Sequence, residues 1–222
     1  MARPKKPEER SRIRDVAFNV FSRQGFENSS FSDIAKEASV SKSLVQYYFP
    51  KKEQFVSDFI DRSLSVVTDI IRADLDYEFE HSLGELYAIG YAQFYFAMYN
   101  DRMNTLRMDI IRDRGNTEMV VKQGIDWLVK HTEAIPVDDP EQQRLVQKTL
   151  IYVVGGAFDY LYDCISNGVE IDAAFISDTS MALLNPFLPE EFHEGDEIRA
   201  AMNADWLEKA RKKYNRMLFT LR

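Results

Sequence analysis

The sequence predicts an all-α protein, with a compact head of three helices followed by a larger helical body. Three observations carry this. Apolar residues recur at three- and four-residue spacing through nearly the whole chain. No stretch alternates apolar and polar residues over the length of a strand, and no internal repeat or low-complexity tract is present. Glycine, proline and asparagine fall at intervals that cut the chain into helix-length pieces.

The elements follow in order. Residues 8–24 place Ile13, Val16, Ala17, Val20 and Phe21 at helical spacing, and Gly25 stops the helix. Asn28, Ser29 and Ser30 form a polar link with the chemistry of a helix N-cap. A short helix from Phe31 to Ala38 presents Phe31, Ile34, Ala35 and Ala38 on one face. Ser39, Val40 and Ser41 make a turn, and Ser41 can cap a second short helix, Lys42 to Tyr48. Pro50 blocks its continuation, because proline lacks the backbone donor and disfavours helix at the residue before it. A long helix then runs from about Lys52 toward Leu75, with Phe55, Phe59, Ile60, Leu64, Val67, Ile70 and Ile71 as its apolar positions. Further helices are expected over 83–100, 103–113, 117–133, 140–166, 171–186 and 194–220. The breaks between them fall at Gly115 and Asn116, between Pro136 and Pro140, at Asn167 and Gly168, and between Pro186 and Pro189.

Of the 222 residues 45% are hydrophobic, enough for a packed core and against global disorder. The single cysteine, Cys164, excludes an intramolecular disulfide and points to a reducing, cytoplasmic setting. No targeting segment is read at the start, because acidic Glu8, Glu9 and Asp15 stand where a signal peptide needs an apolar run. The longest nearly apolar run, Tyr87 to Tyr99, is too short to cross a bilayer and reads as a buried helix. No membrane partner is expected.

The net charge of −8 is unevenly spread. Residues 1–52 hold 11 Lys/Arg against 6 Asp/Glu, whereas residues 53–222 hold 17 against 30. A basic head on an acidic body suits a polyanion that meets the head alone. The domain boundary is therefore set at residue 52, dividing a basic head over 1–52 from an acidic helical body over 53–222.

Two short helices joined by a tight turn are the geometry of a helix-turn-helix. The second helix must project into the major groove while apolar residues pin it to the first. Ile34, Ala35, Val40, Val45 and Phe49 supply the pins, leaving Lys42, Ser43, Gln46 and Tyr47 to face outward.

The head resembles the TetR family of transcriptional regulators. The likeness rests on Ala17, Phe21, Gly25, Phe26, Ser29, Ser30, Ile34, Ala35, Ala38, Val40, Ser41, Tyr48, Phe49, Lys52 and Glu53, in order and at the family's spacing. It covers about the first quarter of the chain; the body is similar only in length and helical content. Four positions depart from the pattern. Ser39 stands where the family usually has the turn glycine, at a cost of about 1 kcal/mol for a left-handed conformation. Ser43 and Leu44 replace small and threonine residues, and Leu44 cannot donate to a phosphate. Gln46 stands in place of a tyrosine and can read adenine through a bidentate hydrogen bond.

The resemblance implies a dimer on a palindromic double-stranded DNA operator. Its DNA-binding residues would be Lys5, Lys6, Ser29, Ser30, Ser41, Lys42, Ser43, Gln46, Tyr47, Tyr48, Lys51 and Lys52. Lys52 would neutralise a phosphate, Ser29 or Ser30 would donate to one while capping, and Arg3, Lys5 and Lys6 would form an arm along the DNA. Tyr48 and Phe49 read equally as core. The family's dimer is built from its last two main helices, so Thr149, Val153, Gly156 and Tyr160 are the candidate interface, with Gly155, Gly156 and Ala157 allowing close approach.

Aromatic and methionine residues crowd the middle helices and suggest a ligand pocket for a small-molecule effector. The candidates are Tyr91, Phe94, Tyr95, Met98, Met103, Arg107, Trp127, Tyr152 and Phe158; the same stripe also reads as ordinary core. The expected function is a repressor released by a small apolar or aromatic ligand, with no cofactor and no metal. Activation instead of repression stays open. So does a DNA-binding protein controlled by a protein partner, which would have a solid body instead of a cavity. An enzyme would have to join Cys164 to His81, His131 or His193, none of which lies in a nucleophile motif.

Overall fold

The computed structural model describes residues 6–80, 82–98, 101–131, 139–187 and 191–219. Eleven α-helices and no strand are found among them: α1 (Pro7–Gln24), α2 (Phe31–Glu37), α3 (Lys42–Tyr48), α4 (Glu53–Asp74), α5 (Ser82–Met98), α6 (Asp101–Arg112), α7 (Arg114–His131), α8 (Pro140–Asn167), α9 (Ala173–Leu184), α10 (Gly195–Ala201) and α11 (Ala204–Leu218). A single 3-10 turn, Asn185–Phe187, extends α9.

Local chemistry sets most boundaries. Pro7 opens α1 where its missing donor costs nothing, and Gly25 closes it at φ 84°. Asp139 caps α8 by accepting from the backbone of Glu141 and Gln142, and left-handed Gly168 ends it. The expected final helix over 194–220 is two helices. Asn203 accepts from the backbone N–H of Trp206 and so starts α11 afresh, one residue after Met202 leaves helical geometry.

The head is held by aromatic edges. Phe21 meets Phe26 and Phe55 at 5.2 and 5.6 Å, and Phe49 stacks on Phe55 at 3.9 Å. Phe55 lies on α4, so the first turns of that helix complete the core of the head. One buried cluster runs from Ile13 in α1 to Leu218 in α11, and packing does not break at residue 52.

α4 is the shared beam. It packs against α1, α5, α7 and α11, while α8 packs on α7 and α9, and α9 on α5. α11 grips α4 along its length. Ser63 of α4 lies 2.7 Å from the Tyr214 hydroxyl and donates to Gln93 of α5. Trp206 donates to the Asp74 carbonyl, and Lys213 pairs with the Asp74 carboxylate at 2.7 Å. Arg211 and Lys212 both pair with Glu208. Each cation of the basic cluster at 211–213 thus has a carboxylate partner within the body.

α1 also touches α6, and one side chain fixes that contact. The Asp109 carboxylate accepts from the backbone N–H groups of Phe26 and Glu27, at 2.7 and 3.2 Å. No described helix is long and apolar enough to cross a membrane.

Candidate nucleic-acid interface

Both helices of the helix-turn-helix are capped at their N-termini. Ser30 forms a reciprocal capping box with Asp33: its hydroxyl accepts from the Asp33 N–H, and the Asp33 carboxylate accepts from the Ser30 N–H. The Ser30 hydroxyl and backbone hold the Asp33 carboxyl below its usual range. Ser39 takes the left-handed conformation, φ 52°, expected of a residue in the place of glycine. Arg12 of α1 donates to the Ala38 carbonyl at 2.9 Å, satisfying the end of α2. Ser41 then caps α3 by accepting from the Leu44 N–H.

α3 has two distinct faces. Val45, Tyr48 and the adjoining Phe49 are buried against the head. Ser41, Lys42, Ser43 and Gln46 are exposed and contiguous on the opposite side, and Tyr47 is half-buried at their edge. Lys51 continues this exposed face past the helix. A helix pinned on one side and bearing small polar, amide and cationic groups on the other is the arrangement that major-groove reading requires.

The remaining candidates divide. Ser29 is buried, and its hydroxyl donates to the Gly25 carbonyl at 2.5 Å, so Ser30 and not Ser29 is the exposed capping serine. Tyr48 is buried too; its hydroxyl accepts from the Lys6 N–H at 3.1 Å, anchoring the start of α1 on α3. Lys52 is half-buried. Its ammonium donates to the Ser29 carbonyl at 2.9 Å and sits 4.3 Å over the Phe26 ring, a position that braces the loop. Lys6 is exposed, whereas Arg3 and Lys5 lie outside the described residues.

In the body, Phe94 lines a cavity of about 180 Å³ among α4, α5, α8 and α9. Tyr91 and Tyr95 are half-buried on α5 with their rings in a tilted row. Tyr152 is 72% exposed on α8, facing away from the interior. Phe158 packs on a separate small core around Ala157, Leu161 and Cys164. The side chains of Met98, Met103, Arg107 and Trp127 lie outside the described residues. A wider cleft of about 710 Å³ runs between α4 and α7 and is polar, lined by Asp61, Asp69, Arg72, Lys122, Gln123 and Asp126 among others.

The outer face of α8 and α9 is apolar. Val153, Gly156 and Tyr160 line one groove with Tyr152, Phe175 and Leu183, and Thr149 is half-buried one turn earlier on α8. A Cβ added at Gly156 would meet nothing within 4 Å. Cys164 is a buried core residue, and His193 is an exposed surface residue 3.7 Å from Glu191. His81 and the side chain of His131 lie outside the described residues. No group of three metal-ligating residues is found among those described.

Sequence reasoning missed the roles of three residues, Asp109 being read there as a charge near a ligand or on a solvated face. Asp109, Glu194 and Ser177 each act through partners or spaces distant in the chain. Glu194 is buried and accepts from the Tyr77 hydroxyl and the Glu80 N–H, tying α10 to the link between α4 and α5.

These features define a helix-turn-helix head with an exposed second helix. Residues 13–58 match the family model described as bacterial regulatory proteins, tetR family. Over these residues the head is thus similar to the tetR family of bacterial regulatory proteins. A stretch of 71 residues is 33% identical to the HTH-type transcriptional regulator AcrR of Shigella flexneri, and spans 32% of each chain. The chain thus aligns with about a third of that relative's length. Among solved structures, the multidrug binding protein EbrR complexed with imidazole is similar over 85% of this chain and 99% of its own, at 16% identity and a TM-score of 0.48. Full-length TylP, a TetR regulator from Streptomyces fradiae, is similar over 93% of this chain and 97% of its own, at 17% identity and a TM-score of 0.46.

Proposed function

We propose that the protein is a sequence-specific transcriptional regulator: a dimeric repressor released from a palindromic operator by a small apolar or aromatic ligand. The observation that carries the reading is the two-faced α3, buried through Val45 and Tyr48 and exposed through Lys42, Ser43 and Gln46. The surplus of positive charge in residues 1–52 supports attraction of DNA to this face. The exposed apolar groove on α8 and α9 supports a second copy as the partner, because an apolar surface of this kind is costly to leave in water.

Two heads on one dimer engage two half-sites, and the second engagement is effectively intramolecular. A ligand in the body that favours a different spacing of the heads weakens binding by its differential affinity for the two states. α4 and the contact of Asp109 with the 26–27 backbone are two links available for that coupling.

Selection of bound duplexes from a random pool tests the reading. A symmetric site with half-sites about one helical turn apart is the expected result. Sequence-independent retention of DNA overturns it.

A further inference from the structure

We propose that the cavity among α4, α5, α8 and α9 binds a small neutral aromatic alcohol or phenol, held by one hydrogen bond to Ser177. This deepens the proposed function, on which it rests for the consequence at the DNA, by naming the site and the ligand class.

Three observations meet there. The walls are apolar, formed by Leu64, Leu86, Phe94, Leu150, Met181 and Leu184, and no charged side chain lines the space. A charged ligand would be buried without a partner, a large cost, so the ligand is neutral.

The second observation is the Ser177 hydroxyl. Ser177 is 4% exposed, lines the cavity, and has no hydrogen-bond partner among the described residues. The other hydroxyls in the lining are already spent as donors: Ser180 donates to the Ile176 carbonyl and Tyr87 to Asp178. An orphaned buried hydroxyl costs free energy that a ligand oxygen recovers.

The third is Gly90. It lies mid-way along α5, where glycine is among the least favourable residues, and a Cβ built there meets nothing within 4 Å. No turn, close contact or positive φ requires a glycine at this point. What its missing side chain leaves is part of the cavity. The volume of about 180 Å³ holds one six-membered ring, since an apolar cavity of about 150 Å³ accepts benzene.

The probes are phenol and toluene, titrated calorimetrically into the full-length protein without DNA. Both are expected to bind saturably, phenol more tightly. Ser177→Ala is expected to weaken phenol about fivefold, the worth of one buried hydrogen bond, and to leave toluene unchanged. Gly90→Leu fills the space and is expected to abolish both while keeping a cooperative melt. A crystal soaked in 4-bromophenol gives an independent reading, with the anomalous bromine signal expected between Gly90 and Ser177.

Absence of saturable binding overturns the proposal, as does an equal loss of both probes in Ser177→Ala or a bromine signal elsewhere. Phenol binding that leaves DNA affinity unchanged supports the cavity and overturns ligand release from the operator. A symmetric DNA site from a protein that binds neither probe does the reverse.

Discussion

Asp109 offers a direct test of how the body holds the head. Its carboxylate accepts two backbone N–H groups, from Phe26 at 2.7 Å and from Glu27 at 3.2 Å, across more than eighty residues of chain. Phe26 is buried and its ring meets Phe21, so its amide has little access to water if the acceptor is removed. A hydrogen bond to a charged group contributes about 1.5–3 kcal/mol, and a stranded donor adds a desolvation penalty of similar size. The Glu27 side of the pair is exposed, so the lower half of that range applies. Asp109→Ala is therefore expected to destabilise the protein by about 2 kcal/mol, seen as a lower urea midpoint with an unchanged slope. Asp109→Asn keeps one acceptor oxygen and is expected to lose about half as much. Amide hydrogen exchange provides the local reading: Phe26 and Glu27 should exchange faster in Asp109→Ala, while amides in the middle of α8 should fall only with global stability. Unchanged exchange at Phe26 and Glu27 would refute the reasoning, whatever the urea midpoint.

Three other perturbations follow from the same geometry. Ser30→Ala removes the cap of α2 and is expected to cost about 1 kcal/mol at neutral pH. Because the Asp33 carboxyl is held below its usual range in the folded state, its part of that support is present above the ordinary carboxylate range and fades as pH falls through the lowered value; the gap between urea titrations of wild type and variant should therefore narrow as pH falls from 7 toward 3. Tyr87 moves the other way: burial, then the hydrogen bond to Asp178, raises its pKa, so its contribution is full below about pH 10 and is lost as pH rises further. Tyr87→Phe should flatten the alkaline fall in melting temperature, and an equal slope in both proteins would contradict the assignment. Tyr152→Arg, alone and with Phe175→Arg, should shift the sedimentation equilibrium from dimer to monomer without loss of helicity, since both side chains are more than half exposed in the single chain.

The head was the legible part because its determinants are local. Gly25, Ser41 and Pro50 act within one turn of where they stand, and the left-handed Ser39 sits where spacing places the turn. The choice between Ser29 and Ser30 was also readable: only Ser30 has an acidic residue three positions on, the mark of a capping box. Asn203 carried the same kind of signal for the start of α11, overshadowed by the continuous apolar pattern on either side.

The body was legible as helices but not as surfaces. Tyr152 and Phe94 are both aromatics on apolar helices, yet one faces solvent and the other a cavity, because helix orientation is set by packing between distant elements. Lys52 is expected at a phosphate by position, and the contacts of its ammonium with the Ser29 carbonyl and the Phe26 ring had no cue in the sequence. Asp109 had no local cue at all, since its partners are two backbone amides in another helix's exit loop. Ser177 reads as one more small residue on α9 until the empty space beside it is seen.

The central claim is that the exposed face of α3 reads DNA, and Gln46 is its sharpest point. Repeating the random-pool selection with Gln46→Ala beside the wild type tests it directly. The account predicts a symmetric site for both proteins, with the preference at one base pair of each half-site lost in the variant. Identical selected sites from the two proteins would remove Gln46 from the reading face, and no symmetric site from either would contradict the account itself.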